Sequence, residues 1–206
     1  MSEQIARGFD RLAPFYDSLA RLIIGKGIKQ SQLHFLNCLS GKSKVLVLGG
    51  GTGWILPYLY EINPKFEIHY IDVSKNMIAH AKGKVSSVNN IQFMVGTVEN
   101  ITDHDFDCVV TNFYLDLFDN AKLEELVPQI KVCLLPGALW LATDFVAITR
   151  WHRVMLWVMY RFFYVATGLR NLRLPTWQAR LVNAGGTLID QKKFSRDFIQ
   201  TVVFKF

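Results

Sequence analysis

Cysteine is scarce in this chain. Cys38, Cys108 and Cys133 form an odd set with no C-x-x-C pair, which excludes a stapled secreted scaffold and a zinc site of paired thiolates. Cys108 and Cys133 lie in apolar stretches and read as reduced core thiols, so a cytoplasmic chain is expected. Charge is sparse too, at 19% of 206 residues against 50% apolar ones, which excludes a disordered chain. The five histidines are scattered, and no metal site is expected. No apolar run spans a bilayer, because Val154–Tyr160 is broken by Arg161 before apolar residues resume to Leu169. The opening Met-Ser-Glu-Gln leads into no apolar segment, so no secretory signal is expected. The length and apolar content suit one buried α/β core, and residues 1–206 are expected to form a single domain.

Acids are nearly missing from one end. After residue 149, ten Lys and Arg face only Asp190 and Asp197, whereas thirteen bases and fifteen acids precede them. The net charge of +6 therefore arises in the last quarter. These bases are interspersed with apolar residues, which points away from nucleic acid and toward an anionic substrate, a membrane surface or a partner.

The middle of the chain reads as strands alternating with helices, the pattern of a parallel sheet covered on both faces. Lys44–Leu48, Glu67–Ile71, Ile91–Val95, Phe106–Thr111 and Ala138–Thr143 are the expected strands, the last entered through a Pro136-Gly137 turn. Helices are expected over Thr52–Glu61, over Ser74–Lys82 with Ser74 as N-cap, and over Ala121–Leu134, Thr149–Thr167 and Pro175–Ala184. Ile5–Ile24 and Lys29–Leu39 read as outer helices. Thr187–Phe194 and Phe198–Phe206 read as strands joined at Ser195-Arg196-Asp197. The apolar alternation of Phe198, Val202, Phe204 and Phe206 supports the last strand.

Val45-Leu46-Val47-Leu48-Gly49-Gly50-Gly51-Thr52-Gly53 carries the strongest signal. Glycines between a strand and a helix let a ligand approach the backbone at the positive end of the helix. About twenty residues on, Tyr70-Ile71-Asp72 puts a carboxylate at the end of the second strand, where it can accept two hydrogen bonds from a ribose diol. The spacing is GxGxG, and Trp54 stands where a dinucleotide site needs its third glycine; this disfavours a dehydrogenase. An ordinary strand-to-helix turn is the plain alternative, and Asp72 weighs against it.

Together these residues resemble the class I S-adenosylmethionine-dependent methyltransferases, over Val45 to Trp140 by motif and over the chain by element order. The resemblance implies a Rossmann-like, seven-stranded, mostly parallel sheet with helices on both faces and an antiparallel C-terminal hairpin. It implies S-adenosylmethionine as cofactor, with Gly49, Gly50, Gly51, Thr52 and Gly53 under its methionine part and Asp72 on its ribose. Asp72-Val73-Ser74-Lys75-Asn76-Met77 is similar to the family's D-x-S-x-x-M stretch, which implies Val73 and Met77 beside the adenine. Gly96-Thr97-Val98-Glu99 stands at the family's second adenine segment, bringing in Thr97 and Val98. Thr111-Asn112-Phe113-Tyr114 matches the strand end next to the transferable methyl, bringing in Asn112 and Tyr114. Leu134-Leu135-Pro136-Gly137 is similar to the family's turn before the fifth strand. Two acids usual in the family are replaced by Val47 and Thr97, which implies weaker cofactor binding or compensation by Thr97 and backbone carbonyls.

Arg11-Leu12-Ala13-Pro14-Phe15-Tyr16-Asp17 resembles the A-x-x-Y-D segment of the quinone-biosynthesis C-methyltransferases. That implies a helical lid over residues 1–40, with Tyr16 near the methyl donor; the alternative is that Phe15 and Tyr16 simply anchor a peripheral helix. The core is then 41–206, with a helical insertion at about 149–169. On that helix Arg150, Arg153, Trp157, Tyr160, Arg161 and Tyr164 share one side, opposite His152, Met155, Leu156, Met159, Phe162, Phe163 and Ala166. Three readings stand: an apolar side packed on the sheet with snorkelling arginines, a wall for a lipophilic or aromatic acceptor, or a peripheral membrane contact.

Methyl transfer is an in-line displacement on a cofactor that already carries the reactive charge, so the protein mainly aligns, and shields from water, the reacting groups. Where the acceptor must lose a proton, His152, Tyr16, Tyr114 and Asp144 are the candidate bases, His152 having the most suitable intrinsic pKa; a histidine among Met and Phe also reads as a satisfied core residue. Asn112-Phe113-Tyr114 lacks the prolines of the N-P-P-Y run expected of a nucleic-acid amino-methyltransferase. The expected function is methyl transfer to a small acceptor. The alternatives are a catalytically silent S-adenosylmethionine-binding or interaction protein, and a protein methyltransferase.

Overall fold

The computed structural model describes residues 5–14, 25, 27–85, 90–169 and 173–206. Seven strands form one sheet: β1 (Lys44–Leu48), β2 (Glu67–Asp72), β3 (Ile91–Val95), β4 (Phe106–Asn112), β5 (Leu134–Phe145), β6 (Thr187–Phe194) and β7 (Ile199–Lys205). Their order is β3-β2-β1-β4-β5-β7-β6. The first five strands pair in parallel, and β7 runs antiparallel between β5 and β6. The expected architecture, with its C-terminal hairpin, is the one observed.

β1 shows why the strands form where they do. Its Val-Leu-Val-Leu run is buried throughout, because a central parallel strand is covered on both faces. Side chains alternate between the faces, so Leu46 and Leu48 enter one core cluster while Val45 and Val47 enter the other. The first cluster seats helices α5 (Asn120–Val132) and α7 (Trp177–Asn183) through Leu123, Val127, Ile130, Trp177 and Leu181. The second seats α3 (Leu56–Ile62) and α4 (Lys75–Lys84) through Leu56, Leu59, Ile78 and Ala81. Residues 5–14 are helical (α1), followed by α2 (Gly27–Leu33); α6 is Arg150–Thr167.

Several boundaries differ from the sequence reading. α3 begins at Leu56 rather than Thr52, because Gly49, Gly51 and Gly53 all hold positive φ and the chain turns helical only beyond them. The outer helix expected over Lys29–Leu39 breaks after Leu33, and a 3-10 turn at Leu36–Leu39 carries Leu36 and Leu39 into the core. β5 starts at Leu134, so Pro136-Gly137 is an irregularity inside the strand: the register on β4 slips between Phe106 and Cys108 while β5 advances from Leu134 to Leu139. β7 is buried on both faces, not one, because it lies inside the sheet, and β6 is the exposed edge. For the outer segment Ile5–Ile24, only 5–14 falls within the described residues.

Candidate functional site

The carboxyl ends of β1 and β2 meet at the glycine loop. Gly49, Gly51 and Gly53 have φ of 62°, 64° and 78°, a region that side-chain-bearing residues enter at a cost. A Cβ on Gly51 would meet nothing within 4 Å, whereas one on Gly53 would lie 2.6 Å from the Cα of Ala81. Gly51 thus leaves an open cradle above the loop, and Gly53 lets the loop touch α4. Gly50 is set by a residue that the motif did not single out. Its Cβ would lie 2.1 Å from Cζ of Tyr70, whose hydroxyl donates to the carbonyls of Gly50 and Gly51. Thr52 is buried and accepts from Lys84 Nζ at 3.4 Å.

Asp72 closes the other side of the cradle. Its Oδ2 accepts from Gly51 N–H at 2.9 Å, and its Oδ1 from Ser74 N–H at 2.9 Å. Burial pushes its pKa up; the backbone N–H groups oppose that, and nearby Asp10 adds to it. An ionised carboxylate offers about four acceptor sites, so sites remain for a ligand diol. The residues present therefore fit a ribose-bearing cofactor.

Other expected cofactor residues gather along the same edge. Val73 is half-buried after β2. Thr97 follows β3 and opens the 3-10 turn Val98–Asn100, its N–H donating to Asn100 Oδ1 at 2.9 Å. Val98 is buried in the core beside Ile71 and Leu115, and Asn112 ends β4 half-buried. Met77 is buried against Phe9 and Ala13 of α1. Val47, where the family carries an acid, lies wholly inside the second core cluster.

α1 is held at this edge by contacts that no motif announced. Asp10 Oδ1 accepts from Ser74 Oγ at 2.6 Å and from Asn76 N–H at 3.1 Å, and the Asp10 carbonyl accepts from Asn76 Nδ2 at 2.9 Å. Ser74 also caps α4, accepting from Met77 N–H at 3.1 Å. On its other side α1 meets α6: a Cβ on Gly8 would lie 2.2 Å from the Cα of Thr167, and Phe9 faces Phe163. Tyr16 lies outside the described residues.

His152 and Tyr114 have other local duties than the expected base chemistry. His152 is buried on α6, its Nδ1 accepting from Ile148 N–H at 3.2 Å and its Nε2 donating to the Arg196 carbonyl at 3.0 Å. Both ring nitrogens are thus spent on backbone, which ties α6 to the β6–β7 turn. Tyr114 packs beneath Gly49 and edge-on to Phe118. Burial holds its phenol well above the ordinary tyrosine range.

A buried carboxyl pair lies beside them. Asp144, near the end of β5, accepts from the N–H groups of Leu115 and Asp116 at 3.0 and 3.1 Å and from Phe145 N–H at 2.9 Å. This pins the 3-10 turn Leu115–Leu117. The Asp116 carboxyl lies against Asp144, and Tyr160 of α6 faces both. Burial raises the pKa of each acid, and mutual repulsion adds to that of Asp144, so the pair retains a proton. Tyr160 was expected on the arginine side of the helix; it is instead buried on the inward face with Leu156 and Thr167, where it meets this pair.

That proton has a measurable consequence. A raised folded-state pKa makes Asp116 stabilising below the unfolded value of about 3.9, and this contribution is lost as pH rises through the folded pKa. Asp116→Asn, which mimics the protonated form, is expected to gain stability relative to the parent as pH rises. Denaturant titrations across that range check this, and parallel stability curves for the two proteins would contradict it.

Glu67, His69 and Asp103 come together at the opposite, amino edge of the sheet. Lys44 Nζ reaches into the group, 2.8 Å from Asp103, 2.7 Å from Asp105 and 3.3 Å from Glu67, and supplies its positive charge.

Residues 45–137 match a family model described as a methyltransferase domain. The chain is similar to a malonyl-[acyl-carrier protein] O-methyltransferase of Halalkalibacterium halodurans, 32% identical over 106 residues, covering 49% of this chain and 38% of that one. It is also similar to a demethylmenaquinone methyltransferase of Staphylococcus epidermidis, 27% identical over 118 residues, covering 55% and 49%. The chain thus spans about half or less of these relatives' length. Among solved structures it resembles the 1,6-didemethyltoxoflavin-N1-methyltransferase of Burkholderia thailandensis, bound to 1,6-didemethyltoxoflavin and S-adenosylhomocysteine. The TM-score is 0.70 at 13% identity, covering 97% of this chain and 87% of that one, a likeness of fold.

Proposed function

We propose that this protein transfers the methyl group of S-adenosylmethionine to a small lipophilic or aromatic acceptor, a reading supported by the match of residues 45–137 to a methyltransferase-domain model. The observation that carries the reading is the open cradle at Gly51 facing the buried carboxylate of Asp72. Similar proteins are named for organic acceptors, demethylmenaquinone and 1,6-didemethyltoxoflavin, which supports an acceptor of that class.

In this reading the 206 residues act as one domain with α1 as its lid. When bound, S-adenosylmethionine supplies an electrophilic methyl on a sulfonium. The chain's own part is to bind and align. The Gly49–Gly53 loop carries the methionine end, Asp72 accepts from the ribose, and Val73, Met77, Thr97 and Val98 shape the adenine side. Asn112 and Tyr114 face the reacting end. Tyr114, kept neutral by burial, suits hydrogen-bond donation or shape rather than proton abstraction. The resemblance of its segment to the quinone-biosynthesis C-methyltransferases supports Tyr16 as a residue near the methyl donor, and the contacts of His152 with Ile148 and Arg196 suit a residue that positions α6.

Calorimetric titration with S-adenosylmethionine, S-adenosylhomocysteine and NAD tests the cofactor. The first two are expected to bind and NAD much less well. Transfer of labelled methyl to a panel of quinols and phenols then tests the acceptor class. No binding of S-adenosylmethionine would overturn the reading, and tight binding without transfer to any acceptor would favour a catalytically silent binding protein.

A further inference from the structure

We infer that α6 is a docking element for an anionic membrane surface, lying along it with one face pressed into the lipid. The inward face of the helix, His152, Leu156, Met159, Tyr160 and Thr167, is buried. The outward face is not the polar one that such a helix normally turns to water. Trp151, Val154, Val158, Phe162 and Val165 recur at steps of three and four residues and form one continuous apolar stripe. Trp151 is 62% exposed and Val165 is 82% exposed, so the stripe stays open from end to end, over about 21 Å at 1.5 Å per residue.

Charge identifies what covers it. Arg150, Arg153 and Arg161 flank one side of the stripe together with Trp157, which is 64% exposed, and Tyr164, and the helix contains no acid. The Arg161 guanidinium stacks on Tyr164 at 5.9 Å. Arginine and aromatic side chains beside an apolar stripe match the headgroup boundary of a bilayer. At the C-terminal end the stripe runs into a cleft of about 530 Å³ lined by Arg7, Gly8, Arg11 and residues 164–168, which adds cationic side chains where an anionic headgroup would lie. Pairing two copies of this face would bring arginines against arginines with no acid on the helix to answer them. Among the described residues no helix is long and apolar enough to cross a membrane, so the contact is a surface one.

Vesicle co-sedimentation of the full chain tests this. Phosphatidylcholine vesicles containing phosphatidylserine should retain the protein, with a blue shift of tryptophan emission, and pure phosphatidylcholine vesicles far less. Raising salt should release it. Each of Arg150→Gln, Arg153→Gln and Arg161→Gln should lower the partition constant about five-fold, the equivalent of about 1 kcal/mol per charge at an anionic surface. Val158→Glu should abolish the blue shift. S-adenosylmethionine affinity and the melting temperature should stay unchanged in these variants, which separates lost docking from lost folding. Absence of binding to the anionic vesicles, or equal binding to both kinds, would overturn the inference. So would a dimer in sedimentation equilibrium that Val158→Glu dissociates, since the stripe would then serve a second copy.

Discussion

Asp72→Ala is expected to weaken S-adenosylmethionine binding by about 2–4 kcal/mol, the worth of two buried charge-assisted hydrogen bonds. That is a loss of roughly 30- to 1000-fold in affinity. Part of it arises in the loop, because the N–H groups of Gly51 and Ser74 lose the acceptors they now have at 2.9 Å. The same carboxylate sets a pH dependence. Burial raises its pKa, and a protonated carboxyl accepts poorly from a diol, so affinity should fall as pH is lowered through that raised value. Calorimetry on parent and variant over a pH series reads both effects, with thermal melting as the control for folding. Equal affinity in the variant, or a flat pH profile in the parent, would remove Asp72 from the cofactor site.

Trp140→Ala carries the largest expected cost in stability. The side chain is fully buried in the cluster that holds Val109, Leu181 and Phe204, and its Nε1 donates to Thr111 Oγ1 at 2.9 Å. Truncating a buried Trp typically costs about 3–5 kcal/mol, and the orphaned threonine hydroxyl adds about 1 kcal/mol or more. Against a total stability of about 5–15 kcal/mol, the melting temperature should fall on the order of 10 °C. Trp140→Phe keeps most of the volume and loses the hydrogen bond, so it should fall between the two. A melt of Trp140→Ala within a degree or two of the parent would show that the cluster closes over the gap.

The parts of the fold legible in the sequence are those governed by local pattern. β-branched runs at Lys44–Leu48 and Ile91–Val95 gave the strand positions, and Ser74 gave the start of α4 to the residue. The glycine loop and Asp72 were legible as a pair because their spacing follows from one strand-turn-helix-strand unit. What was not legible depends on contacts across the chain. Asp10 reaches Ser74 and Asn76 over more than sixty positions. Tyr160 is buried on the inward face of α6 beside Asp116 and Asp144, which come from other elements. His152 looked like a base by residue type, and only the fold shows its ring nitrogens engaged by Ile148 and Arg196. Helical periodicity alone also missed that the open side of α6 is an apolar stripe, because the arginines beside it masked the pattern.

The exposed edge strand β6 has a bearing on how this protein survives at high concentration. One side of β6 is paired with β7 and its other side ends the sheet, a template on which a second chain can add a strand. Two features of the strand oppose that. The register on β7 slips between Leu188 and Asp190, so Ile189 is an extra residue that kinks the edge out of a flat ladder. Beyond it, Asp190, Lys192 and Lys193 are all exposed, so an incoming strand would have to desolvate charges. The bulge and these charges thus make the edge of β6, remote from the glycine loop, a poor template for an added strand despite the exposed Leu188 and Ile189.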